Sequence, residues 1–128
     1  MYRLAFAVMI GLSALLQSPA GGHADEKLTA AEIEILLEDR TALGNWRGTE
    51  TRQYFEASGA TVYLEKGGAP DEGKWKVDAA KNQYCSWWRR GGWACYDVET
   101  DGTTYYWVTP GDDYRSPFTM TDGRQMGF

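Results

Sequence analysis

Histidine is almost missing from this chain of 128 residues: His23 is its only one. It falls in a segment that reads as a removable leader, so the mature protein is expected to hold no imidazole. Ser-His and Cys-His nucleophile pairs, a histidine general base and the usual zinc and copper sites all need that ring, and these chemistries are excluded together. G-x-G-x-x-G, P-loop, G-x-S-x-G and C-x-x-C motifs are absent as well, so nothing supports nucleotide-dependent chemistry, and no cofactor or metal is expected. A long apolar run is also lacking. Leu4 to Leu16 is too short to cross a bilayer, and behind Met1-Tyr2-Arg3 it reads as a cleavable export signal. Gly22-His23-Ala24 puts small residues at the two positions a signal peptidase reads. The cut is expected after Ala24, with Ala20 as second choice, leaving residues 25–128 as one domain with no membrane span.

Basic charge is scarce. There are 13 basic and 18 acidic residues, and losing Arg3 leaves 12 against 18, a mature net charge of −6. Such a chain repels phosphate, and no basic stripe exists beyond Arg89-Arg90, so nucleic acid is not an expected partner. A basic envelope protein or a neutral glycan suits that sign.

What the chain does have is concentrated between Tyr84 and Val98. That stretch holds both cysteines, Cys85 and Cys95, and three of the six tryptophans, Trp87, Trp88 and Trp93. Aromatic runs flank Arg89-Arg90-Gly91-Gly92, and a three-residue loop ending in a glycine of positive φ is a common hairpin closure. Such a loop sets Cys85 opposite Cys95 within bridging reach. In an exported domain two cysteines form a structural bridge, worth roughly 2–3 kcal/mol for a loop of about ten residues.

Upstream, Thr29-Ala30-Ala31-Glu32 is a capping box with Leu28 and Ile33 as its staple. Ile33, Leu36 and Leu37 share one stripe, which predicts a helix from about residue 30 to 40 stopped by Gly44. From Asn45 on, short β-prone runs alternate with turn signals, the texture of an antiparallel meander. The runs are 46–49, 52–57, 61–66, 74–78, 83–89, 93–99, 103–109 and 115–121. Val62 and Leu64, then Trp75 and Val77, are expected on a dry face. In the central hairpin Cys85, Trp87, Trp93 and Cys95 share one parity and Tyr84, Trp88, Tyr96 and Val98 the other, and the inward face stays open. The helix is the expected cover for the outer face. The fold expected is mainly β: an N-terminal helix packed on seven or eight antiparallel strands that close into a small barrel or fold into a roll, with one disulfide.

Trp87, Trp88 and Trp93 beside the Arg89-Arg90 tip form the candidate binding patch, set against ordinary core packing of the aromatics. The arginine pair itself suits a carboxylate or phosphate, or plain solvation of a hairpin tip. Asp97-Val98-Glu99-Thr100-Asp101-Gly102 opens like a calcium loop but puts Val108 at the bidentate glutamate position, so a hairpin turn explains it better. Asp112 and Asp113, with Glu99 or Asp101, are the acids available to a glycan hydrolase, though adjacent loop aspartates ordinarily solvate a turn. No catalytic residue is assigned.

The pattern Leu28-Thr-Ala-Ala-Glu-Ile33, Tyr54-Phe55 with Gly59 and Tyr63, Gly73-Lys-Trp75-Lys-Val77, Tyr84-Cys85-x-Trp87 and Cys95-Tyr96-x-Val98 resembles a family of small exported bacterial domains of unassigned function. The resemblance implies a fold and a periplasmic or secreted location, and carries no chemistry. A second likeness, through Gly44-Asn45-Trp46, is to calycin-type barrels; it implies a ligand cup of at least about 300 Å³, although the shortness of the chain favours a filled interior. The resulting expectation is a non-enzymatic exported domain that binds a protein or envelope component. A small-ligand carrier, or a carboxylate hydrolase of cell-wall glycans, is the alternative.

Overall fold

The computed structural model describes residues 25–128; the expected leader, its cut and His23 lie outside them. The described chain is a short strand β1 (Glu26–Lys27), one helix α1 (Ala30–Leu37), and eight longer strands: β2 (Arg40–Trp46), β3 (Thr49–Phe55), β4 (Ala60–Glu65), β5 (Asp71–Asp78), β6 (Gln83–Trp88), β7 (Gly92–Thr100), β8 (Tyr105–Val108) and β9 (Arg115–Asp122). β2 to β9 pair antiparallel in sequential order, and β9 returns to β2, with Gly44 opposite Phe118 and Arg40 opposite Asp122. The sheet is therefore a closed eight-stranded barrel, which removes the exposed edges of a flat meander. β1 pairs with the end of β7.

The helix starts as its capping box dictates. Glu32 N–H donates to the Thr29 hydroxyl, and Thr29 N–H donates to the Glu32 carboxylate at 3.1 Å. Ile33, Leu36 and Leu37 are buried, packed with Phe55, Trp75, Val98 and Phe118 from the strands. Complete burial of Ile33 and Leu37 contributes roughly 3–6 kcal/mol, enough to hold a helix too short to stand alone. Phe55, Trp75 and Val98 point into the barrel toward the end where β2 begins and β3 and β9 finish, with Phe118 deeper, opposite Gly44, so α1 plugs that end. The sequence led to the expectation that it covers the outer face of the β6–β7 hairpin, and it does not; the barrel mouth offers a deeper apolar seat than one face of two strands.

Four further expectations are corrected. The helix ends at Leu37 rather than near residue 40, because Glu38 turns extended and Asp39 takes a positive φ of 54°, sending its N–H to the Phe55 carbonyl. Gly44 does not stop the helix: it lies inside β2, a strand that pairs on both sides, with β3 and β9. The run expected at 46–49 is instead the β2–β3 turn, through Arg47 and Gly48. The inward face of β4 also differs from expectation. Pairing places Thr61 opposite Phe55 and Tyr63 opposite Gln53, so Thr61 and Tyr63 face the interior while Val62 and Leu64 face out. A small buried polar network accounts for this choice. Gln53 Nε2 donates to the Thr61 hydroxyl at 3.1 Å and to the Tyr84 hydroxyl at 2.8 Å, and Thr61 donates to the Tyr54 carbonyl. These groups satisfy one another, and a layer that would otherwise cost desolvation becomes part of the core.

Candidate functional site

The strand register decides which aromatics meet. Trp75 pairs with Ser86, Val77 with Tyr84, Tyr84 with Tyr96, and Val98 with Trp107. Since Trp75 and Val98 are buried in the core, Tyr84, Trp88, Tyr96, Tyr105 and Trp107 share the inner face. On β2 the same parity carries Ala42, Gly44 and Trp46. At the end opposite α1 these rings do not fill the barrel. They leave a cavity of about 120 Å³ lined by Trp46, Tyr63, Tyr84, Trp88, Tyr96 and Trp107.

The walls of this cup are rings set edge and face to one another. Tyr84 lies 4.6 Å from Trp107 and stacks on Tyr96 at 6.2 Å, while Tyr63 meets Trp88 at 5.9 Å, all between centroids. Phe118 stacks beneath Trp107 at 4.0 Å, and Phe55 meets Tyr84 edge-on at 5.6 Å, closing the floor against the helix-plugged half. Two inward glycines make room. A Cβ on Gly73 would lie 2.4 Å from the Trp87 carbonyl oxygen and 2.6 Å from the Trp88 ring; one on Gly44 would press on Thr51, Pro117 and Phe118 at 3.0–3.3 Å. Gly73 is thus what lets the Trp88 indole turn into the barrel, where its Nε1 donates to the Ser86 hydroxyl at 3.1 Å.

The cup opens among the β2–β3, β4–β5, β6–β7 and β8–β9 turns. β8 pairs only with Asp97–Thr100 of β7, so beside the mouth the stretch Gly92–Tyr96 pairs on its β6 side alone. At the rim, Arg47 lies over the Tyr114 ring at 4.2 Å and pairs with Asp112 at 3.8 Å, and Tyr114 meets Trp46 edge-on. Tyr63 donates to the Glu65 carboxylate at 3.1 Å; burial, together with that carboxylate, holds its phenol far above the ordinary tyrosine range. Burial does the same for Tyr84. Both remain neutral phenols at any physiological pH.

The residues expected to form one patch are divided. Cys85 and Cys95 are bonded, as expected, with Trp88 opposite Gly92 and a loop of Arg89, Arg90 and Gly91 between; the positive φ, 66°, falls on Gly92. Trp88 belongs to the inner face and to the cup. Trp87 and Trp93 face each other across the hairpin on the outer surface, beside the disulfide. Lys74 Nζ lies over Trp87 at 5.2 Å and Lys76 Nζ over Trp93 at 4.2 Å, and Trp93 is 46 % exposed. Arg89 and Arg90 are exposed at the tip. The acids considered for hydrolysis are not gathered in a cleft. Glu99 accepts from Arg115 at 2.9 Å, Asp112 binds Arg47 and the Tyr114 N–H, and Asp101 accepts from the N–H groups of Thr103 and Thr104 in the hairpin turn expected there. No group of three or more potential metal ligands occurs among the described residues, and no helix among them is long and apolar enough to cross a membrane.

Of the six cup residues, sequence reasoning placed Trp88 alone in the candidate binding patch. Trp46, Tyr63, Tyr84, Tyr96 and Trp107 come from five different strands, and only the closed register unites them. Gly44-Asn45-Trp46 and Gly73-Lys74-Trp75 were the available signal: each marks a strand with a glycine facing inward. None of the family models, curated proteins or solved structures compared with the chain matches it.

Proposed function

We propose that this is a non-enzymatic exported binding domain whose aromatic cup, at the barrel end opposite the helix, takes a small group presented by an envelope component. The observation that carries this reading is the cavity of about 120 Å³ walled by six aromatic side chains from five strands. A closed barrel of this size ordinarily fills its interior with side chains, and here large rings stop short of doing so. The lining consists of tryptophan and tyrosine rings, which offer surface for binding. The volume is less than half that expected of a calycin-like carrier, near the roughly 150 Å³ that accommodates a benzene ring, so the ligand group is small. The disulfide fits an oxidising compartment, periplasmic or secreted.

A second reading places the partner on the outer face, at Trp87 and Trp93. It is favoured by the exposure of Trp93, and that face is of mixed charge: Lys74, Lys76, Arg89 and Arg90 stand there beside Asp71 and Glu72. Indole N–H resonances separate the two readings. On adding a fractionated envelope extract, shifts at Trp46, Trp88 and Trp107 are expected. Shifts confined to Trp87 and Trp93 would move the site to the outer face, and none at all would remove the proposal.

A further inference from the structure

Resting on the reading of the cup as a binding site, we propose that its ligand is a quaternary ammonium group, of the kind carried by choline and phosphocholine. The first argument is shape. A sphere of 120 Å³ has a radius of about 3 Å, so a compact, rounded group centred there brings the lining rings within the roughly 6 Å over which a cation is attracted to a ring face. An extended acyl chain is too long for such a space.

The second argument is chemistry. All six lining residues are tryptophan or tyrosine, the rings with the strongest quadrupoles, and no basic side chain lines the cup. A neutral sugar needs many hydrogen-bonding partners, yet half of the six ring polar groups are already engaged: the Tyr84 hydroxyl by Gln53, the Tyr63 hydroxyl by Glu65 and the Trp88 N–H by Ser86. A methylated ammonium has no N–H to satisfy and is cheaper to desolvate than a lysine head. The Glu65 carboxylate next to Tyr63 makes that phenol more electron-rich, and the acidic balance of the chain, 18 acidic against 13 basic residues, draws cations in.

The third argument is the rim. The loops around the mouth carry the exposed Arg89 and Arg90 and, engaged with Asp112 and the Tyr114 ring, Arg47, so cationic groups are at hand for an anion attached to the ammonium. The site therefore suits a zwitterion whose cation enters and whose phosphate stays outside.

The test is a calorimetric and fluorescence titration of the folded protein with choline, phosphocholine, the uncharged carbon isostere 3,3-dimethylbutan-1-ol and methyl glucoside. Saturable choline binding at least tenfold tighter than the isostere is expected, weakened at least fivefold in Trp46→Leu, a rim substitution that spares the core. Tighter binding of phosphocholine than choline supports the zwitterion. Cosedimentation with phosphatidylcholine vesicles, but not phosphatidylglycerol vesicles, assigns the group to a lipid headgroup; choline binding without cosedimentation assigns it to a free solute. An isostere or glucoside that binds as tightly as choline overturns the cation and leaves the cup as a binding site. Absence of binding by all four overturns the cation and counts against the cup itself.

Discussion

Adding one methyl group at Gly73 should damage both the fold and the cup. Gly73 has no positive φ, so Gly73→Ala imposes no conformational penalty and its cost is purely steric. The new Cβ meets the Trp87 carbonyl oxygen at 2.4 Å and two Trp88 ring carbons at 2.6 and 2.7 Å. Neither yields easily. The carbonyl belongs to the backbone of β6, paired with β5, and the indole is wedged against Tyr63 and tied to Ser86. Overpacking of this kind costs about 1–3 kcal/mol, and a backbone clash lies at the upper end. At about 4–8 °C per kcal/mol for a domain near 100 residues, the melting temperature should fall by roughly 10–20 °C. Thermal melts followed by circular dichroism measure it, with Gly91→Ala as control: that Cβ meets nothing within 4 Å and needs no positive φ, so its melt should match the parent. The near-ultraviolet spectrum should also change in Gly73→Ala as Trp88 is displaced. A Gly73→Ala variant melting within about 2 °C of the parent would refute the claim that this glycine clears the space for Trp88.

Replacing Cys85 and Cys95 together by alanine should lower stability by about 2–3 kcal/mol, the chain-entropy value for a separation of 10 residues. Urea unfolding checks this, and no loss relative to the oxidised parent would show that the hairpin needs no staple. Asp101 accepts backbone hydrogen bonds from Thr104 and Thr103, which hold its carboxyl well below the ordinary aspartate range. A folded-state value depressed in this way gives stability that is fully present above the unfolded pKa of about 3.9 and is lost as pH falls through the lower folded value. Asp101→Asn should therefore flatten the acid limb of stability against pH and leave the neutral region's slope unchanged; an identical acid limb in the variant would exclude this turn as a contributor.

The disulfide hairpin could be read from the sequence because its determinants are local: the cysteine spacing fixes the loop, and the loop fixes the register. The capping box of α1 was equally legible. Which side of the hairpin faces inward was not, because both parities are apolar and the choice is made elsewhere. Gly73 opens a space for Trp88 from the neighbouring strand, and Val98 and Tyr84 pack on rings contributed by β3, β8 and β9. β2 escaped detection for a related reason. Its Gly44 follows an amphipathic helix and so resembles a stop signal, whereas its role is to admit Phe118 from the far end of the chain. The cup was least visible of all, since its six residues come from five strands whose meeting depends on barrel closure.

Closure joins β2 to β9, with Ala42 opposite Met120, and the segment after β9 then fastens the seam: the Thr41 hydroxyl donates to the Gly123 carbonyl, and Gln125 N–H donates to that hydroxyl. The ring of strands is thus completed by β9, the last of its eight strands in chain order. Until it arrives, β2 and β8 each lack a neighbour, so a chain truncated before residue 115 would present two adhesive borders in place of a sealed wall. Residues 123–125 act as a clasp, and proteolytic removal of β9 with them should turn a closed wall into a surface that recruits other strands.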